Sequence, residues 1–202
     1  MTIAAILLAG GESRRMGRPK PLLEWGDRTL VEYQIEQLRA AGVDRVVAVL
    51  GYAADDVRPL VHKAGALSVI NELYAEGRAS SVRVGAAALG EDTEAVVVLN
   101  VDQPRPAWVT QRLLEVHRSQ GNTITLPAYE GHRGHPPVIA AALLPELREA
   151  REATLGLRAI IDRHQAEVRE VPFETDVVLL DVNEPEDYER ARASYFQAEV
   201  SR

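Results

Sequence analysis

The feature that most constrains this chain is its first apolar run together with the basic, glycine-rich segment directly after it. Ile3 to Leu8 is uninterrupted apolar sequence, the pattern of a parallel strand covered on both faces. The next segment carries Gly10, Gly11, Arg14, Arg15, Gly17, Arg18 and Lys20. Glycines let the backbone approach a ligand and present its N–H groups. Arginine adds a planar fork of donors and lysine a point charge. Open α/β sheets bind ligands at the carboxyl ends of their strands, so this strand and loop are expected to hold a polyphosphate.

Two familiar phosphate loops are excluded. A Walker A loop needs G-x-x-x-x-G-K-[ST], whereas Lys20 stands between Pro19 and Pro21. A dinucleotide loop needs G-x-G-x-x-G running directly into a helix. Here the two prolines keep the chain extended or turned, and the next helix signal is Thr29.

Strands and helices alternate along the rest of the chain. Thr29 caps a helix to about Ala41, with Leu30, Ile35 and Leu38 facing the core. Arg45–Leu50, Leu67–Asn71 and Ala95–Val101 read as strands. Ala53–Lys63, Ala79–Leu89 and Pro106–Ser119 read as helices, the first carrying Pro59 as a possible kink. Later come a strand over Asn122–Ala128, a turn-rich loop over residues 129–138, and helices over Ala140–Glu152 and Leu155–His164. Val168–Val171 and Val177–Leu180 read as strands, and Glu184–Ala198 as a closing helix. This order predicts an α/β fold, a mostly parallel Rossmann-like sheet with helices on both faces in a three-layer α/β/α sandwich.

A chain of 202 residues fits a single domain, taken as 1–202. Its net charge of −7 argues against nucleic acid as a partner and makes the basic loop a local feature. With no cysteine, thiolate metal sites, disulfides and a cysteine nucleophile are excluded. No leader pattern and no apolar run of membrane-spanning length is present, so no membrane partner and a cytoplasmic location are expected.

Three later stretches carry chemistry. Asp102, followed by Gln103 and Pro104, ends a strand and either offers an oxygen to Mg²⁺ or caps the following helix. Asn183, Glu184 and Pro185 open the last helix, where Asn183 serves as cap and Glu186 and Asp187 complement the helix dipole. Ser80 and Ser81 lie in the first turn of another helix, whose amides can meet an anion. His132 and His135 lack the further ligands of a zinc site. His62, His117 and His164 lie on helices and are expected at the surface.

The string A-G-G-x-S-R-R-M-G-x-P-K-x-L-L resembles the signature of the MobA-like nucleotidyltransferases, and the resemblance covers nearly the whole chain. The family fold is a three-layer α/β/α sandwich with one antiparallel strand in its late half. The resemblance implies that Leu8, Ala9, Gly10, Gly11, Arg15, Lys20, Asn71, Ser80, Ser81 and Gly85 meet a nucleoside triphosphate. It makes Arg15, Lys20 and Asp102 catalytic. Mg²⁺ is the implied cofactor, held by Asp102 and Asn183, with Asp181 as the lesser candidate. The family's G-D-x-P is replaced here by Asn100-Val101-Asp102-Gln103-Pro104, which keeps the carboxylate and changes the backbone before it.

The stretch Gly134-His135-Pro136 and the stretch Ser80-Ser81-Val82-Arg83 resemble the cytidylyl branch, whereas Leu8-Ala9-Gly10-Gly11 resembles the guanylyl branch. The implied reaction moves a nucleotide, CMP before GMP, onto the terminal phosphate of molybdopterin, with His135 and Pro136 against the acceptor. ATP and another phosphorylated acceptor remain open. A molybdoenzyme or its insertion chaperone would receive the product. The reading from another class is a non-catalytic nucleotide or cofactor carrier. A nicotinamide oxidoreductase is disfavoured by the missing G-x-G-x-x-G.

Overall fold

The computed structural model describes residues 2–151 and 156–200. Strand β1 (Thr2–Ala9) is central, and its side chains from Ile3 to Leu7 are wholly buried. It pairs in parallel with β4 (Arg45–Leu50) on one side and β6 (Thr93–Asn100) on the other. β5 (Leu67–Ile70) extends the sheet beyond β4, again in parallel. On the far side lie β7 (Ile124–Tyr129), β9 (Val138–Ala140) and β10 (Val168–Pro172), giving the order β5-β4-β1-β6-β9-β7-β10. A two-residue strand β8 (His132–Arg133) turns back on β7, and β2 (Glu24–Trp25) and β3 (Arg28–Thr29) form a separate hairpin. The result is an α/β fold with a mostly parallel mixed sheet, in which β9 runs antiparallel to both neighbours.

Alternate residues of β1 feed two cores, because successive strand side chains point to opposite faces. Ile3, Ala5 and Leu7 pack with α1 (Leu30–Ala40), α2 (Ala54–Lys63), α4 (Ala107–Gln120) and Tyr188 and Ala191 of α7 (Pro185–Val200). Ala4, Ile6 and Leu8 pack with α3 (Arg78–Ala87), α5 (Leu144–Arg148) and α6 (Gly156–Arg163). Each large aliphatic side chain removed from water this way contributes about 1.5–3 kcal/mol. Helix α1 starts where the sequence signals it: Thr29 and Glu32 form a reciprocal capping box, and Glu32 also accepts from Lys63 on α2. Helix α2 runs through Pro59 without ending.

Gly85 sets how closely α3 lies on the sheet. A methyl group there would clash with Ile6 Cγ2 and come 3.0 Å from Val49 Cγ2.

Four expectations fail after β6. The loop expected over residues 129–138 holds β8 and leads into β9, because Val138 and Ile139 fill the gap between β6 and β7 and are fully buried there. The helix expected from Ala140 starts only at Leu144, after a short 3₁₀ turn, while Glu152 and Leu155 fall outside the described residues. The strand expected over Val177–Leu180 is a 3₁₀ turn over Asp176–Leu179. Thr175 Oγ1 accepts the Val177 amide, and the carbonyls of Val178 and Leu180 are taken by a buried arginine instead of a neighbouring strand. His117 is buried on α4, with Nδ1 3.0 Å from Thr125 Oγ1 of β7, and is not a surface residue.

Candidate active site

The carboxyl ends of β1 and β6 meet at one edge of the sheet, and the loop after β1 folds over them. Ser13 shapes that loop: it adopts a left-handed conformation (φ 56°), and its Oγ accepts the Lys20 amide at 3.1 Å. A 3₁₀ turn over Lys20–Leu22 then aims the lysine inward. Lys20 Nζ donates to Asp102 Oδ2 at 2.7 Å and to Asn183 Oδ1 at 3.0 Å. Residues 82 and 163 positions apart from the lysine thus converge on one ammonium. The lysine side chain is 12% exposed and that of Asp102 24%, so the pair is screened from bulk water but reachable from one side.

That side is a cavity of about 210 Å³ lined by Leu8, Gly10, Gly11, Ser13, Lys20, Pro21, Tyr74, Gly77, Arg78, Ser81, Asn100, Val101 and Asp102. Gly77 stands at the start of α3 with φ 115° and ψ 176°, a conformation that only glycine adopts freely, so no cap side chain stands between the start of α3 and the cavity. A second cavity of about 510 Å³ adjoins the first and shares Leu8, Arg78 and Asn100 with it. Its walls are mostly apolar (Val82, Val98, Leu126, Leu157 and Ile161), with His135, Arg133, Arg158 and Asp162 among them.

The remaining expected site residues divide by location. Ser81 lines the first cavity, while Asn71 and Ser80 sit behind it. Asn71 Nδ2 donates to the hydroxyls of Ser80 and Ser81 at 2.8 and 3.0 Å, so it sets the start of α3 from within. Ala9 is buried in the core, and Gly85 faces Ile6 and Val49; neither lines a cavity. Arg15 points outward, 67% exposed, and pairs with Glu184 at 3.2 Å. His135 lines the second cavity, but Pro136 is buried, and Pro137 takes the wall position. Burial holds the His135 ring below the usual histidine pKa against the opposing pull of Asp181, so it is neutral at pH 7.

The metal expectation can be tested on the donors themselves. Asp102 and Asn183 both offer oxygens within 3.0 Å of a single cationic centre, the lysine ammonium. Asp181 instead accepts from Gln103 Nε2 at 2.9 Å. Among the described residues no cluster of three or more His, Asp or Glu side chains could hold a metal alone. Two oxygen donors beside a phosphate-sized cavity fit a divalent ion such as Mg²⁺, which takes one or two protein ligands and completes its shell from phosphate and water.

Three supporting residues carried little sequence signal. Arg105, 1% exposed, donates to the carbonyls of Pro104, His135, Val178 and Leu180 at 2.8–2.9 Å. Burial lowers its pKa to about 10, which leaves it charged at neutral pH. Gln34 donates to Gln103 O at 2.6 Å and accepts the Arg105 amide at 3.2 Å. Gln103 joins Asn100, whose Nδ2 reaches its Oε1 at 3.0 Å, to Asp181. A glutamine among the apolar positions of α1 and an arginine between two prolines were the only hints.

Known proteins share this sequence pattern and fold. Residues 5–168 match the model of the MobA-like NTP transferase domain. The chain is 34% identical to nicotine blue oxidoreductase of Paenarthrobacter nicotinovorans, over 87% of this chain and 86% of that protein. It is 26% identical to the molybdenum cofactor cytidylyltransferase of Escherichia coli K12, over 96% and 97% respectively. The crystal structure of Rv0371c from Mycobacterium tuberculosis H37Rv superposes with a TM-score of 0.83 at 29% identity, covering 95% of this chain and 98% of that one. A further structure of that protein is a complex with manganese. The chain therefore belongs to the MobA-like NTP transferase family of nucleotidyltransferases.

Proposed function

We propose that this protein transfers a nucleotide from a nucleoside triphosphate, CTP in preference to GTP or ATP, to the terminal phosphate of a molybdopterin-type acceptor, with release of pyrophosphate. The observation that carries the reading is the single ammonium of Lys20 shared by Asp102 and Asn183 beneath Gly10 and Gly11. The E. coli cytidylyltransferase and the Gly134-His135-Pro136 stretch favour CTP and molybdopterin.

A phosphate monoester has its second pKa near about 6, so the acceptor needs no strong protein base to become a nucleophile. The neutral His135 ring and the lack of a carboxylate dyad among the described residues of the site accord with that. The protein's task is then positioning and charge neutralisation. The amides of Gly10 and Gly11 and of the first turn of α3 meet the triphosphate. Lys20 exchanges its bonds to Asp102 and Asn183 for phosphate oxygens. Asp102 and Asn183 would hold the divalent ion, which supplies further neutralisation of phosphate charge when bound. The larger, mostly apolar cavity takes the acceptor, with His135 at its wall.

Incubation with Mg²⁺, molybdopterin and each of CTP, GTP and ATP, with pyrophosphate release and product mass as readouts, tests this directly. Turnover with one nucleotide and the matching mass gain is the expected result. Tight nucleotide binding without turnover would transfer the reading to another phosphorylated acceptor or to a carrier. One finding favours a second reading: the relative at 34% identity is named an oxidoreductase. Loss of the colour of nicotine blue in the presence of NADH or NADPH, with no pyrophosphate formed in the nucleotide assay, would establish it.

A further inference from the structure

We infer that Arg78 is a catalytic residue, the cation that faces the phosphorus being transferred. The inference rests on the proposed nucleotidyl transfer. If one cavity takes the triphosphate and the other the acceptor, the reacting atoms meet where the two cavities join. Leu8, Arg78 and Asn100 are the residues common to both walls. Leu8 is apolar, and the Asn100 amide is committed to Gln103 Oε1 at 3.0 Å. Arg78 is therefore the charged group at the junction.

Its guanidinium is also uncommitted: no hydrogen bond or ion pair engages it among the described residues. The other basic groups nearby are occupied. Arg14 is held by Glu12, Arg15 by Glu184, Arg133 by Glu170 and Gln165, and Lys20 by Asp102 and Asn183. Arg78 opens α3 at the wall of the first cavity, so its planar fork of donors stands at that opening. Its charge also discourages protonation of His135.

In the step served by Arg78, an oxygen of the acceptor phosphate forms a bond to the α-phosphorus. The bond from that phosphorus to the bridging oxygen of the leaving pyrophosphate breaks, and the electron pair departs with it. Part-way, charge is spread over the equatorial oxygens and builds on the departing pyrophosphate oxygen, where a planar two-pronged donor can neutralise it.

The test compares wild-type protein with Arg78→Ala and Arg78→Lys, using CTP, Mg²⁺ and molybdopterin, and determines kcat and both KM values. Arg78→Ala is expected to lower kcat by roughly 10²-fold or more, with KM for CTP within about threefold. Arg78→Lys should recover part of the rate, as should millimolar guanidinium added to Arg78→Ala. Thermal melting should be unchanged for both variants. A raised acceptor KM with unchanged kcat would overturn the inference, since it would show uniform binding only. So would a wild-type-like Arg78→Ala, and in either case the transferase reading would stand. Wild-type protein inert with every nucleotide would overturn both.

Discussion

Lys20 and Arg105 are both cations withdrawn from bulk water, and both join the region after β6 to the segment before α7. They differ in what holds them. Lys20 is bound by one carboxylate and one side-chain amide at the wall of an open cavity. Arg105 is sealed, 1% exposed, and bound by four backbone carbonyls. Side-chain partners can turn to another ligand, and an arriving phosphate can replace them. Tyr195 Oη also donates to Pro104 O and the His135 amide to Val178 O, but the carbonyls of His135 and Leu180 have no second donor among the described residues, and each left unpaired costs about 1–3 kcal/mol. The contrast separates a group poised to change partners from one that fixes geometry.

The sharpest way to break this contrast is at Arg105. Arg105→Met should destabilise the protein by roughly 3–5 kcal/mol, read as a lower urea midpoint with the slope retained, because the carbonyls of His135 and Leu180 lose their donor together and the packing of the buried side chain is lost. A loss below about 1 kcal/mol would mean that water replaces the guanidinium, and the distinction would fall. Next is Lys20: Lys20→Ala should lower turnover by roughly 10²-fold or more while leaving the urea midpoint nearly unchanged. A fall under about threefold would reject its proposed role at the phosphates. Third, Gly85→Ala should cost about 1–3 kcal/mol through overpacking against Ile6 and Val49, whereas Gly11→Ala, which faces open space, should leave stability alone and act only on nucleotide affinity.

The smallest effect concerns pH. Burial lowers the His117 pKa below the unfolded value, so the unfolded chain takes up the proton first and stability falls as pH drops below about 6.5. His164, between Glu167 and Glu146, has a raised pKa and works oppositely: its contribution is present at low pH and is lost as pH rises through that raised value. Urea unfolding between pH 8 and pH 5 should therefore show a shallower acid decline in His117→Gln than in wild type. Equal slopes would remove His117 from the account.

Legibility in the sequence divides along the same line. β1, β4 and β6 are covered on both faces, so they appear as continuous apolar runs, and their placement is legible to within a residue or two. The Gly10–Lys20 loop, Asp102 and Asn183 stand out because they break such runs at their ends. β9 was not legible: three residues wide and entered from a proline-rich turn, its strand character comes from the gap that it fills. The turn over Asp176–Leu179 has strand-like residues, and its partners are the Thr175 hydroxyl, the His135 amide and the Arg105 guanidinium in place of a neighbouring strand. Arg105 gave no sign beyond its place between two prolines, since burial of a lone arginine depends on acceptors contributed by segments 30 to 75 positions away. Arg15 and Gly85 show the converse: motif membership suggested ligand contact, yet one lies at the surface and the other against the sheet.

The reversed direction of β9 has a consequence for how such a protein can diversify. A parallel strand delivers only its exit loop to the ligand edge and must be approached by a crossover. β9 delivers its entrance there: Val138 lies beside Val97, and Pro137 O accepts from Val98 N at 3.1 Å. The hairpin of residues 129–137, which brings His135 to the second cavity, therefore hangs between two neighbouring strand ends with no helix to carry across the sheet. Its exposed tip, residues 130–132, can change in length and composition while Gly134 and His135 stay fixed against Val178 and Arg105 and the strand registers and the two cores remain as they are.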